Sequence, residues 1–236
     1  MAAKQRYRPR QILATALFLS LALSVVFSAV RLIQAPAEQP ETGGHVKVKS
    51  DYLLMLTQCV LGLIVMSLPS AIARRWRLDI PHFIYILYYV FLYCAVFLGE
   101  VFSFYYLVPH WDSILHFFSG AMLASLGFIL VDLLNREERV RVQLSPLFVS
   151  LFAFCFALAA GAVWEIYEYT CDTALRLNMQ KYQTEAGVAL VGRAALRDTM
   201  KDIILDALAA LLVAAIGYFG IRKKQRDSLT ITKEAS

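Results

Sequence analysis

Six apolar blocks constrain this chain more than any other feature of it. They lie at about 11–32, 52–73, 82–108, 112–135, 146–168 and 198–221. Each is close to the ~20 residues an α-helix needs to cross a bilayer. The composition agrees with them. Of the 236 residues, 59% are hydrophobic and 17% charged, against roughly 45–50% and 25% in ordinary soluble domains. The mean hydropathy is +0.57. A disordered chain, a collagen, a coiled coil and a disulfide scaffold are excluded. The expected fold is all-α: a polytopic integral membrane bundle of six transmembrane helices, forming a single membrane domain over residues 1–236. The third block is long enough to require tilt or an end in the headgroup region.

Charge placement tests the layout. Lys and Arg concentrate on the cytoplasmic side of membrane proteins. With the N-terminus inside, the inner segments hold Lys4, Arg6, Arg8 and Arg10; Arg74, Arg75 and Arg77; Arg136, Arg139 and Arg141; and Arg222, Lys223, Lys224, Arg226 and Lys233. That is fifteen of the 23 basic residues, beside only six of the 18 acids. Three of the four inner segments are then net basic and the one around Arg136–Arg141 is neutral, so an N-in/C-in arrangement is expected. The expected location is a membrane, crossed several times. The basic balance follows from topology and from contact with anionic lipid. Membrane lipids are therefore the expected partners. No nucleic-acid motif is present, and protein partners are not specified.

The first block has a basic flank and small residues near Ser28 and Ala29, as a signal peptide does. Its apolar run exceeds the usual ~7–15 residues of such a peptide, so an uncleaved anchor is expected. Two loops are long, 33–51 and 169–197, and both are expected outside the cell. The first carries the turn residues Pro36, Pro40, Gly43 and Gly44. The second is expected to hold a short interfacial helix and a turn at Gly187 or Gly192. Cys59, Cys94 and Cys155 fall within blocks, which leaves Cys171 without a partner outside, and no metal-type cysteine spacing occurs.

Ionisable side chains inside hydrocarbon are costly, and they mark functional sites by default. Here they collect in the last four blocks and at one end. Glu100 ends the third block, and Asp112 and His116 open the fourth. Glu165 and Glu168 close the fifth, and Asp198, Asp202 and Asp206 open the sixth. The pair Asp112/His116 is spaced i,i+4 and the pair Glu165/Glu168 i,i+3, so each shares one helix face. Asp198, Asp202 and Asp206 form one stripe about 12 Å long. Carboxylates from several helices with one histidine are the ligand set that helix bundles use for divalent metals. The expected metal ligands are Asp112, His116, Glu165, Glu168, Asp198 and Asp202. Glu165 and Asp202 are the expected general acid/base residues, with Glu100 and Asp206 as secondary candidates. The expected cofactor is a divalent metal ion, whose identity the sequence does not specify.

Each residue also has a plainer reading. Asp112 and Asp198 stand where helix N-caps occur. Glu168 and Asp172 stand where water would solvate them. His116 could be a satisfied polar residue of a bundle. Pairing with Arg197 or Lys201 would also neutralise some of the acids. Tyr105, Tyr106, Trp111, Trp164, Tyr167 and Tyr169 fit an interfacial aromatic belt, with Trp76 as the inner anchor. Gly120 and Gly161 suit close helix packing. Ser119, one turn beyond His116, would permit a Ser–His contact. No GxSxG, P-loop or HExxH motif is present.

The strings HWDSILHFFSG at 110–120, WEIYEY at 164–169 and DTMKDIILD at 198–206 resemble the uncharacterised bacterial integral membrane proteins of the YjdF-like group. The resemblance covers roughly residues 80–215. It matches Asp112, His116, Gly120, Glu165, Glu168, Asp198, Thr199 and Asp202 to the group's motifs, and it leaves Asp206 outside the pattern. Where the group places a glycine in the last span, this chain has Ala209. The resemblance implies a six-span protein of the bacterial envelope and brings no established activity. A looser similarity is to VanZ-like proteins, which also place acids and a histidine at helix ends.

Three functions remain open on the sequence. One is a metal-dependent enzyme acting at the outer leaflet on a lipid or envelope precursor. Another is a proton- or cation-coupled transporter, disfavoured by an inner half that is almost without polar residues and by the lack of an inverted repeat. The third is a non-catalytic membrane scaffold or regulator locked by its polar cluster.

Overall fold

The computed structural model describes residues 2–37, 47–75, 80–136, 144–184 and 188–234. Trp76 and Gly187, singled out above, lie outside the described residues, as do the basic Arg77, Arg139 and Arg141. The described chain is helical: α1 Ala2–Gln34, α2 Lys49–Val65, α3 Leu68–Arg75, α4 His82–Leu92, a π-helical segment Tyr93–Val101, α5 Phe104–Leu107, α6 Trp111–Arg136, α7 Pro146–Leu175, a 3-10 turn Gly192–Ala194 and α8 Arg197–Glu234. No strand occurs among the described residues, although Gln183 and Ala189 form an isolated antiparallel bridge. Six helical stretches are long and apolar enough to cross a bilayer: Pro9–Gln34, Lys49–Arg75, His82–Val101, Trp111–Asn135, Pro146–Leu175 and Arg197–Asp227. A span in lipid must satisfy its backbone internally, which is why apolar blocks of this length become helices.

Three of the expected spans differ in detail. The second is interrupted at Met66–Ser67, between α2 and α3. Pro69 has no N–H to give the carbonyl four residues earlier, and that carbonyl, on Val65, instead accepts the Tyr88 hydroxyl at 2.8 Å. The third was expected to run to residue 108 and ends at Val101. Its end is set by Ser103, whose φ of 61° is left-handed, and by Gly99, where a Cβ would collide with the Tyr105 ring. The apolar residues 104–108 belong to the turn that follows. The fifth continues to Leu175 rather than 168, because the polar residues after Glu168 change the surroundings of the helix without breaking it.

A branched side chain is strained at a left-handed position. Ser103→Val is therefore expected to lose about 1–2 kcal/mol of stability, read as a lowered unfolding temperature in detergent. An unchanged temperature would mean that the turn is not held in this conformation.

The chain packs as two compact units, Met1–Leu115 with Thr170–Ala195, and His116–Tyr169 with Leu196–Ser236. In the first unit, α1 packs on α2, α4 and the π-helical segment. Its core joins Leu17, Leu21, Met55, Cys59, Tyr89 and Val96. Arginines hold both ends of α1. The Arg10 guanidinium lies 3.5 Å from the Tyr85 ring centroid and donates to Ser70. Arg31 donates to the Tyr52 hydroxyl.

The segment after α7 is part of this unit. Buried Asp172 accepts the amide N–H groups of Met179 and Gln180 at 2.8 and 3.0 Å. Leu177, between them in sequence, is also buried, and Lys181 pairs with Asp112. This stretch holds no interfacial helix among its described residues. The turn expected at Gly192 is present, at a left-handed φ of 61°.

Lys47 donates to the Glu100 and Val101 carbonyls at 3.3 and 3.5 Å. Burial pulls its ammonium below the ordinary lysine value, against the opposing pull of Glu100 and Asp51. The folded chain therefore releases this proton at lower pH than the unfolded chain does. Between the lowered value and 10.5, the unfolded state holds more proton and stability rises with pH. Lys47→Met is expected to abolish that alkaline rise in thermal unfolding curves. A rise that persists unaltered would assign it to another group.

In the second unit, small residues set the spacing between helices. Ala124, Ala157 and Ala210, from α6, α7 and α8, meet in a core with no exposed surface. A Cβ on Gly127 would stand 2.8 Å from the Ala153 Cα, and one on Gly120 would stand 2.8 Å from the Asp206 carbonyl oxygen. Such residues let helix backbones approach closely in membranes. Ala209 is fully buried, and a Cβ on Gly120 would be 3.2 Å from its Cβ. Close packing at Ala209 is thus kept, with the glycine contributed by α6. The opposite faces carry apolar side chains outward, among them Leu208, Leu211, Leu212 and Ile216 on α8.

Candidate functional site

Four ionisable side chains converge in the second unit. His116 of α6 is 7% exposed, Glu165 of α7 is 4%, and Asp202 and Asp206 of α8 are 2% and 1%. At such burial bulk solvent cannot offset their charges, so the groups must interact with one another or with a cation. His116 Nδ1 lies 3.3 Å from Asp206 Oδ2. Its Nε2 lies 4.0 Å from Glu165 Oε1 and 4.0 Å from Asp202 Oδ2. The imidazole is therefore flanked by carboxylates on both sides.

The helices explain this convergence. Asp202 and Asp206 are one turn apart on α8, so one face carries both. Glu165 ends the stretch of α7 that packs through Ala157 and Gly161. A Cβ at Gly161 would collide with the Asp206 carboxylate. Ser119, one turn beyond His116, donates to the His116 carbonyl at 2.9 Å and reaches Asp206 Oδ1 at 3.3 Å. The contact expected between Ser119 and the histidine is thus to its backbone, and the second partner of the hydroxyl is Asp206. Lys201 Nζ stands 3.9 Å from Asp202 Oδ1, one of the pairings expected from the sequence.

The other expected residues have partners of their own. Asp112 lies in the first turn of α6 within the first unit, past the N-cap position, where its carboxylate favours the helix dipole. Its partner Lys181 is 69 residues away, and no local sequence signal points to that pair. Glu168 accepts the Trp164 indole N–H at 2.8 Å. Asp198 occupies the first turn of α8 and is half-buried. Glu100 lies near the end of the π-helical segment of the first unit. Asp172 is buried and bonded to amides rather than solvated.

Two aromatics of the expected belt also have defined partners, Trp164 through Glu168 and Trp111 through a backbone carbonyl. Trp111 donates to the Cys94 carbonyl at 3.3 Å. Its ring packs edge-on against Phe104. All four cysteines are free thiols.

His116 Nε2 faces one carboxylate oxygen from each of Glu165 and Asp202, and nitrogen with carboxylate oxygen is a donor chemistry suited to divalent cations. The same groups can also exchange protons. A family model described as a predicted membrane protein, DUF2238, matches residues 13–223 of the sequence. The chain belongs to this family. The assignment agrees with the YjdF-like resemblance and covers all six spans in large part. A Thermotoga maritima protein, named there only as an uncharacterized protein, is 31% identical over 135 residues, or 57% of this chain and 59% of that protein. The match therefore spans little more than half of that relative's length. No solved structure matches the chain.

Proposed function

We propose that the cluster around His116 is a divalent-cation centre of a membrane enzyme acting on a lipid or envelope precursor. The observation that carries this reading is the meeting of three buried carboxylates and one buried imidazole from three helices. Carboxylates crowded in a low-dielectric site need positive charge to offset those that are ionised, and a divalent cation beside the Lys201 ammonium would supply it. His116, Glu165 and Asp202 are the inner ligands. Asp112, one turn before His116 on α6, and Glu168 and Asp198 are further ligand candidates, and Glu100 stands as a secondary one. The cation would polarise a phosphoryl or carbonyl oxygen or acidify a bound water. Glu165 and Asp202 would hold or move the proton.

The basic inner segments support an N-in/C-in arrangement in the bacterial cytoplasmic membrane, with the cluster toward the outer leaflet. A second reading, a non-catalytic scaffold, is supported by the close fit of Asp206 against Gly161 and Ser119.

The test is cation-dependent turnover. Chelator-washed protein in nanodiscs is reloaded singly with Mg²⁺, Mn²⁺, Zn²⁺ or Ca²⁺ and given an extract of bacterial envelope lipids. Release of phosphate or acyl product that requires one cation and is lost in Glu165→Gln supports the enzyme. Bound cation without turnover, together with cation or proton flux in liposomes, would replace it with a transporter. Intact folding with neither turnover nor flux would leave the scaffold.

A further inference from the structure

About 32 Å of helix separates Arg10 from Arg31 on α1, close to the ~30 Å thickness of a bilayer's hydrocarbon core. The two arginines therefore mark opposite headgroup layers, and a group bonded to Arg10 lies in one of them. Ser70 of α3 is such a group: its hydroxyl accepts from Arg10 at 3.1 Å. The two sides of α3 fit that level. Leu68 and Ile72, spaced i,i+4, are exposed and apolar. Ser70 and Arg74, also i,i+4, form a stripe on roughly the opposite side. A helix with one apolar and one basic side lies in the membrane surface.

We propose that Arg10, Ser70 and Arg74 form a binding site for the phosphate of an anionic phospholipid. Arg10 is held ready for it. Its guanidinium lies over the Tyr85 ring, 3.5 Å from the centroid. That ring is buried, and its hydroxyl donates to the Pro69 carbonyl at 3.5 Å. Ser70 takes one of the five guanidinium N–H donors, and Arg10 makes no other hydrogen bond among the described residues. Arg74 is exposed and follows Ser70 by one turn, a side-chain spacing of about 5–6 Å. Among the described residues, no carboxylate lies within 4.0 Å of Arg10, Arg74 or the adjoining Arg75. Two guanidinium groups beside one hydroxyl, with no described acid between them, keep their forked donors for a phosphate, an anion that such forks match. Basic pockets between membrane helices bind phospholipid headgroups in this way. Leu68 and Ile72 seat the far side of α3 among acyl chains, which favours a lipid phosphate over a soluble one. The site lies within the first unit and does not depend on the cation reading.

The experiment is native mass spectrometry of the full chain, released from detergent with phosphatidylglycerol and phosphatidylcholine present in equal amounts. Wild type is expected to prefer phosphatidylglycerol by about 25-fold, since each basic side chain at an anionic surface contributes about 5-fold. Arg10→Gln and Arg74→Gln are each expected to lose about 5-fold, and the double variant the whole preference. Ser70→Ala leaves the charge unchanged and is also expected to weaken the preference, because Arg10 loses its partner. Replacing Lys223 and Lys224 together by Gln removes the same charge from exposed positions on α8 and is expected to change nothing. Should Arg10→Gln not fold, the exposed Arg74 carries the test through Arg74→Gln. Equal retention of the two lipids by wild type would overturn the site. An equal loss in the lysine pair, or no change in Ser70→Ala, would make the attraction diffuse and overturn it too. Displacement of the bound lipid by excess glycerol phosphate would put a soluble phosphate in its place and overturn the lipid assignment.

Discussion

Replacing His116 or Asp202 is expected to empty the proposed cation centre without unfolding the chain. Wild-type protein loaded after purification should carry about one divalent ion per chain. His116→Ala removes the proposed nitrogen ligand, and Asp202→Asn removes one of the two carboxylates that face Nε2. Loss of a mere orienting partner costs 10–100-fold in metal affinity, so loss of a direct ligand is expected to cost at least about 100-fold. The readouts are metal content and titration calorimetry, with elution profile and thermal unfolding as folding controls.

Stability separates this outcome from the scaffold. At a cation concentration 100 times its dissociation constant, binding adds about 2.7 kcal/mol to the native state, and only the wild type should gain it. Without cation, Asp202→Asn removes one of several crowded carboxylates and should be as stable as wild type or more so. A polar lock predicts the reverse: Asp202→Asn destabilised in every condition, with no response to cation. Wild-type protein that takes up none of Mg²⁺, Mn²⁺, Zn²⁺ or Ca²⁺ would end the metalloenzyme reading.

The second large effect is expected at Gly120. An added Cβ would sit 2.8 Å from the Asp206 carbonyl oxygen and 2.9 Å from its Cα. These are backbone atoms of a packed helix, so no side chain can swing away. Overpacking of this kind typically costs 1–3 kcal/mol, and Gly120→Ala is expected to lose about that much. It should also weaken cation binding, because α8 can make room only by moving Asp202 and Asp206. Gly127→Ala meets the Ala153 Cα at 2.8 Å and should cost a similar amount, with less effect on the cation. Gly220 has no atom within 4 Å of an added Cβ. Gly220→Ala is therefore the control, neutral or slightly stabilising through helix propensity. Equal stability of Gly120→Ala and Gly220→Ala would show that α6 and α8 do not approach this closely.

The spacing of acids along each helix is legible in the sequence. Asp202 and Asp206 must share a face, as must Glu165 and Glu168, because an α-helix repeats every 3.6 residues. Which of those faces meet is not legible there. Glu165 enters the cluster, while Glu168, on the same face, accepts from Trp164. Asp172 reads as a solvated acid and is buried as a cap for two amides. Lys181 carries no signal of its own in the sequence, yet it is the partner of Asp112.

The sequence alone determined that this chain forms six membrane-crossing helices, because unbroken apolar runs of that length have no other way to satisfy their backbones in lipid. It also determined that acids and a histidine sit at the ends of those runs. Tertiary structure alone decided the early end of the third span at Ser103 and the different partners of two aspartates one turn apart. Those outcomes depend on how far each helix is rotated about its axis and how near its neighbour lies. Both are set by glycines and alanines at contact points, whose effect exists only when the opposite helix is present.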